Sequence, residues 1–190
     1  DNDLLDEAYK TVFRGVFDGD GHTISNFVIT SADTSYVGFF GFACNATIKN
    51  LTIDNVDIDL TSTSRNDLYV SVLAGRITTR GENSKATVEN CKVTNSSINA
   101  NGISSIYAGA ICGIAVATNM TGSTIETCLV SADCDITVST SPATNNKEYY
   151  LTSGGIIGYY GSQQHSEIIL RDAHFDGIII ADASATSVAS

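Results

Sequence analysis

Residues 47–58, TIKNLTIDNVDI, constrain the fold more than any other stretch, because their first half recurs along the chain. Residues 23–29 read TISNFVI, 87–93 TVENCKV, 124–130 TIETCLV and 169–175 ILRDAHF. Aligned, these segments give three apolar columns. The first holds Ile24, Ile48, Val88, Ile125 and Leu170. The second holds Phe27, Leu51, Cys91, Cys128 and Ala173, and the third Ile29, Ile53, Val93, Val130 and Phe175. Self-similarity at this period means a stack of units, none of which can bury its apolar side alone.

A second element alternates with the first. It is an aromatic–small–glycine run: YVGFFG at 36–41, YVSVLAG at 69–75, YAGAICG at 107–113 and TSGGIIG at 152–158, the last preceded by Tyr150. The closing glycines are Gly41, Gly75, Gly113 and Gly158. Glycine in such a run allows sharp corners or close approach where a Cβ would clash. A third strand-like run follows the columns at 56–60, 96–100, 134–138 and 178–181. One turn of the chain is therefore expected to be three short strands joined by bends. Stacked, such turns predict an all-β, right-handed parallel β-helix (a solenoid) of about five coils, because like residues then lie on like.

A polar column accompanies the apolar ones: Asn26, Asn50, Asn90, Thr127 and Asp172. Its expected role is an inward ladder of side-chain hydrogen bonds that fixes register. Longer turns carry inserts, at 76–85, 114–123 and 159–166 after the glycine strand, and at 61–68 and 139–149 before it. Residues 3–12 alone have helical spacing, with Leu4, Leu5, Ala8 and Val12 on one stripe. The domain reading is an N-terminal cap or tail at 1–12, the repeat array at 13–181 and a C-terminal tail or linker at 182–190.

The chain carries 10 Lys and Arg against 21 Asp and Glu, a formal net charge of −11. That balance argues against a nucleic acid partner, which needs clustered cations, and against docking on an anionic membrane. No run is long enough for a membrane-inserted helix, and no signal peptide is evident. An opening at Asp1 is expected of a processed product or a piece of a larger parent polypeptide. Five cysteines without a CxxC pattern give neither a disulfide scaffold nor a zinc site. Cys91 and Cys128 share a column, so stacking would bring their Cα atoms within about 5 Å. Parallel stacking points both side chains the same way, and the expected role is small buried hydrophobes.

The sequences YVGFFG, YVSVLAG and YAGAICG, with FDGDGHTISNFVI and ATIKNLTIDNVDI, resemble the GLUG-type repeats of bacterial surface proteins. Such repeats occur in adhesin-like proteins and in the non-catalytic part of IgA-protease-type zinc metallopeptidases. The resemblance spans about residues 13–180 and is closest in the first two coils. It implies a secreted, cell-surface β-helical module of a bacterium, and it implies no activity. The peptidases bind zinc through HExxH. The three histidines here, His22, His165 and His174, lie in HTISN, HSEII and HFDGI instead.

Three groups invite a chemical reading. Asp18, Asp20 and His22 lie in DGDGH, where alternating carboxylates in a glycine turn can hold Ca²⁺. The EF-hand spacing is missing, and a turn that starts the first repeat is the simpler reading. Asp57 and Asp59 share one face of a strand, beside Asp54, as acidic pairs do in lyases and hydrolases of this architecture. The matching residues in the next coil are Ser97 and Asn99, and a solvated outer face is expected. Tyr149, Tyr150, Tyr159 and Tyr160 offer rings either to sugars or to a coil corner. Sequons begin at Asn45, Asn50, Asn95 and Asn119, as chance allows in a chain this rich in Asn, Ser and Thr. No catalytic residue, cofactor or metal ligand is assigned. The functional expectation is a non-catalytic module for adhesion, for binding a glycan or host surface protein through its inserts, or for spacing. The alternative is a polysaccharide lyase or hydrolase on the same scaffold.

Overall fold

The computed structural model describes residues 12–31, 34–118, 122–140, 149–162 and 166–183. The expected cap at 1–12 lies outside them, apart from Val12. The first coil holds β1 (Val16–Asp18), β2 (Thr23–Ser25), β3 (Val28–Ile29), β4 (Tyr36–Val37) and β5 (Phe40–Cys44). The second holds β6 (Thr47–Lys49), β7 (Thr52–Asp54), β8 (Asp57–Ser62), β9 (Leu68–Val70) and β10 (Ala74–Thr78). The third holds β11 (Lys85–Glu89), β12 (Lys92–Thr94), β13 (Ser97–Gly102), β14 (Ile106–Gly109) and β15 (Cys112–Ala117). The fourth holds β16 (Gly122–Glu126), β17 (Leu129–Val130), β18 (Asp135–Thr140), β19 (Leu151–Gly154) and β20 (Ile157–Ser162). A partial fifth coil adds β21 (Glu167–Arg171), β22 (His174–Phe175) and β23 (Ile178–Ala183).

Corresponding strands stack in parallel into five sheets, which we number in chain order. The first is β1-β6-β11-β16-β21, the second β2-β7-β12-β17-β22 and the third β3-β8-β13-β18-β23. The fourth is β4-β9-β14-β19 and the fifth β5-β10-β15-β20. This is a parallel β-helix, in the all-β class that the repeats predict. Parallel crossover connections take the right-handed sense in nearly all proteins.

Each complete coil has five strands, not the expected three. Two of the expected strands are each two strands with a bend between. In the second coil the glycine run breaks at residues 71–73, yet Val72 and Leu73 are buried. The bend is satisfied internally: the Ser71 hydroxyl accepts from the N–H groups of Leu73 and Ala74 and donates to the Ala110 carbonyl. With only one small polar residue, Ser71, beside Val72 and Leu73, this buried bend leaves little polar break in the sequence. The 47–58 stretch breaks at Asn50 and Asn55, which take left-handed φ values of 54° and 52°. Asparagine tolerates that region better than other non-glycine residues.

The apolar columns run as expected from the second coil onward, but the first coil is displaced by one bend. Phe17, not Ile24, pairs with Ile48 and leads the column Val88, Ile125 and Leu170. Ile24, not Ile29, leads Ile53, Val93, Val130 and Phe175. Ile29 leads a further inward column of Ile58, Ile98, Ile136 and Ile179. Phe27 leaves the Leu51 column, since its carbonyl accepts from Asp57 N–H in the third sheet. The cause is a five-residue internal echo. TIKNL and TIDNV resemble each other, so TISNF fits either, and the structure pairs it with TIDNV.

The glycine register holds. Phe40, Ala74, Cys112 and Ile157 pair in series, which puts Gly41, Gly75, Gly113 and Gly158 at one level of each coil. A Cβ on Gly75 would lie 2.5 Å from the Val37 nitrogen, and one on Gly113 2.8 Å from the Val70 nitrogen. Each glycine thus lets a fifth-sheet strand pass against the fourth-sheet strand of the preceding coil. The N-terminal end of the core is filled by aromatic rings. Phe40 meets Phe13 at 5.0 Å, Phe17 at 5.3 Å and Phe39 at 4.9 Å between ring centres. At the other end Leu170, Ile179 and Tyr160, all in inward columns, remain exposed.

Candidate functional site

The residues that project outward from the fourth sheet form a vertical stack. Tyr36, Tyr69 and Tyr107 occupy one register position on β4, β9 and β14. Their ring centres are 5.3 and 5.0 Å apart, with interplanar angles of 24° and 11°. Tyr159, from the fifth sheet, closes the stack by tilting at 56° onto Tyr107. Arg76 lies over Tyr36 and Phe42 and donates from Nη1 to the Tyr36 hydroxyl at 2.6 Å. Burial, followed by the nearby Asp67 carboxylate, pushes the Tyr69 phenol up to about 12. Stacking occupies the faces of Tyr36 and Tyr69, both half-buried, and the Tyr36 hydroxyl is engaged by Arg76.

The insert at 61–68 folds beside this stack. Its backbone turns twice on serine side chains: Ser62 Oγ accepts from Ser64 N–H, and Ser64 Oγ from Asn66 N–H. The Ser104 hydroxyl, one coil on, holds the loop through the Arg65 carbonyl and the Asp67 carboxylate, both at 3.1 Å. Between loop and stack lies an open concavity of about 350 Å³, lined by Ser35, Tyr36, Arg65, Asn66, Asp67 and Tyr69. A smaller hollow of about 50 Å³ adjoins it beneath Ser62, Ser64 and Leu68. The larger concavity is lined by an arginine, an asparagine, an aspartate, a serine and two tyrosines. This set can exchange hydrogen bonds with a polyhydroxylated ligand in both directions. It contains no nucleophile paired with a base.

The sequence singled out the insert at 61–68 as a place for binding. It gave no sign that Tyr36 and Arg65 would line one concavity, since they come from different coils. The insert at 141–148 and His165 lie outside the described residues. Tyr159 lies within β20, packs on Tyr107 and is 47% exposed. Tyr160 is 70% exposed, in an inward column at the C-terminal end of the stack.

The DGDGH stretch is a turn. Asp18 accepts from Asn50 Nδ2 at 2.9 Å and from Asp20 N–H at 3.0 Å, and pairs with Lys49 at 3.1 Å. The Asn50 bond, followed by the Asp20 N–H and Lys49, holds the carboxyl down at about 2. A Cβ on Gly19 would lie 2.6 Å from the Asn50 carbonyl oxygen, and Gly21 has φ of 75°. The glycines are thus required by the turn itself. Among the described residues no group of three His, Cys, Asp or Glu side chains is placed to hold a metal ion.

The acidic strand forms an exposed outer ladder. Ser97 Oγ donates to Asp57 at 2.6 Å, and Asn99 Nδ2 to Asp59 at 3.0 Å. Asp54 accepts from Thr94 and Asn95, both at 2.7 Å, which lowers its pKa. The asparagine column is also a ladder, but an outer one rather than the inward one expected. Asn90 donates to Asn50 at 2.9 Å, and in a parallel column Asn55 donates to Asn26 at 2.7 Å. Left-handed bends turn these side chains away from the core, so the ladder is partly exposed at the rim. Cys44, Cys91, Cys112, Cys128 and Cys134 are free thiols, all buried. Burial pushes the Cys112 thiol up, and a hydrogen bond with Cys128 together with burial does the same for Cys91.

Among the described residues no helix is long and apolar enough to cross a membrane. The fold and this polar groove define a β-solenoid with a lateral surface site. Compared with models of known families, with curated proteins and with solved structures, the chain finds no match in any of the three.

Proposed function

We propose that the chain is a non-catalytic β-helical module of a bacterial surface protein and that it binds a glycan through the groove beside the tyrosine stack. The observation that carries this reading is the convergence of Arg65, Asn66, Asp67, Tyr36 and Tyr69 on one open concavity. A shallow polar trough on a rigid scaffold suits an exposed sugar, which offers hydroxyls on several sides. The resemblance of the repeats to GLUG-type segments supports the surface location. Asp57 and Asp59 do not favour the lyase reading, because each is engaged by a neutral neighbour on an open face.

The test is a glycan and mucin-glycoprotein array with the purified chain, run with Ca²⁺ and with EDTA. Hits are then assayed for new reducing ends and unsaturated products. Binding that is lost in Arg65→Ala and Asn66→Ala, without turnover, is the expected result. Turnover abolished by Asp57→Ala and Asp59→Ala overturns it in favour of a lyase or hydrolase. Silence on every glycan leaves a spacer or a host-protein adhesin.

A further inference from the structure

The two ends of the stack carry side chains that the middle coils lack. One outward column of the third sheet reads Val28, Asp57, Ser97, Asp135, Ile178. Its terminal members alone are apolar, and Val28 is 62% and Ile178 57% exposed. One outward column of the first sheet reads Val16, Thr47, Thr87, Thr124, Ile169, again apolar only at its ends. The next outward column of that sheet opens on Asp18 and closes on Arg171, which are unlike charges. Val16, Val28 and Ile178 thus face water at the ends of otherwise polar columns, Val16 being 68% exposed.

Translating one copy along the axis by the height of the stack brings the members of each pair together. Val28 lands beside Ile178, Val16 beside Ile169 and Asp18 beside Arg171. The inward columns continue as well, with Phe17 over Leu170 and Ile29 over Ile179. The step in the ramp also fits. Among the described residues the fourth and fifth sheets stop at β19 and β20, one strand short of the other three. At the opposite end Phe13 stands ahead of β1 as an extra fifth-sheet position, bridged to Ala43. In the translated copy Phe13 continues the fifth sheet, in the column of Tyr160.

We propose that this chain associates head to tail with a second copy of itself, the C-terminal coil of one receiving the N-terminal coil of the next. Among the described residues β21, β22 and β23 are the last strands of their sheets, so their outer edges can add β1, β2 and β3 of the next copy in parallel register. A head-to-tail contact is heterologous and leaves a free end on each copy, so growth gives short filaments rather than closed dimers. This inference is independent of the glycan groove, which lies on the side of the stack.

Sedimentation velocity over a range of concentrations tests it. The mean mass is expected to rise above the 20.0 kDa of one chain as concentration increases. Val28→Lys and Ile178→Lys change only solvent-facing side chains, and each alone is expected to remain monomeric. Mixed, they retain one intact contact, between the C-terminal end of the Val28→Lys copy and the N-terminal end of the Ile178→Lys copy. The mixture should therefore give a 1:1 dimer and stop there. Arg171→Asp should weaken wild-type association at least tenfold at low salt. A wild-type chain that is monomeric throughout, a Val28→Lys chain that still assembles, or a mixture without a dimer each overturns the proposal.

Discussion

The side-chain amide of Asn50 donates to Asp18 Oδ1 at 2.9 Å, across 32 residues of chain, and so ties the first turn to the second coil. With the Asp20 N–H and Lys49 it holds the Asp18 carboxyl at about 2, below its ordinary 3.8. A carboxyl depressed in the folded state stabilises fully above its unfolded value and loses that contribution as pH falls through the folded one. Thermal unfolding should therefore show wild type losing stability relative to Asp18→Asn between about pH 4 and pH 2. Above that window the difference should be flat. A difference that does not change across the window would refute the link.

At alkaline pH the sign reverses. Tyr69 is raised to about 12 from 10.0, so the folded state keeps a proton that the unfolded chain has released. Its contribution is full below about pH 10 and is lost as pH rises through about 12. Tyr69→Phe should lack this alkaline loss. Phenolate absorbance during titration should show one fewer late-titrating tyrosine.

Glycines in this fold are not interchangeable. A Cβ at Gly75 would lie within 2.9 Å of three backbone atoms, whereas one at Gly161 meets nothing closer than 3.8 Å. Gly75→Ala should cost at least about 1–3 kcal/mol, the range for overpacking, while Gly161→Ala stays within about 0.5 kcal/mol. Urea unfolding midpoints decide this. Equal midpoints would mean that the fourth and fifth sheets do not cross closely at Gly75.

Adjacent positions on β8 should differ as sharply. Ile58 is fully buried in the third inward column and Asp59 is exposed on the outer ladder. Ile58→Ala should destabilise by about 2–5 kcal/mol, with Asp59→Ala within about 0.5 kcal/mol. The same urea series measures both, and a large Asp59→Ala effect would contradict an exposed ladder.

The five buried thiols give a kinetic readout. None should react with a disulfide reagent in the native state, and all five should react after denaturation. The native rate should follow global unfolding. Fast reaction of Cys91 or Cys128 would show that their column opens on its own.

Much of this architecture is legible in the residues, for identifiable reasons. The columns through Ile48, Ile53 and the glycine series are visible because stacking places like on like in every coil. The first coil is misread because the motif repeats within itself: Asn50 and Asn55 hold the same place in two successive five-residue units, and TISNF matches both. The two-residue lengthening of the DGDGH turn hides the true partner, Phe17. The five-strand count is invisible for a different reason. The bend at Val72 and Leu73 is buried, so it keeps an apolar composition that reads as uninterrupted strand. The groove is half legible. Its loop stands out as an insert, but the placing of Tyr36 beside that loop depends on the neighbouring coil.

The pairing of each strand with the coil above has a kinetic consequence. Asn50 and Asn90, like most ladder partners, are 40 residues apart, so no strand finds its partner until an entire coil has closed into a loop. The first closure is entropically the slow step, because it orders a long loop before any stacking compensates. Every later coil adds to a finished template. A chain emerging from synthesis N-terminus first would meet its aromatic plug early and then grow as a ratchet, one coil at a time.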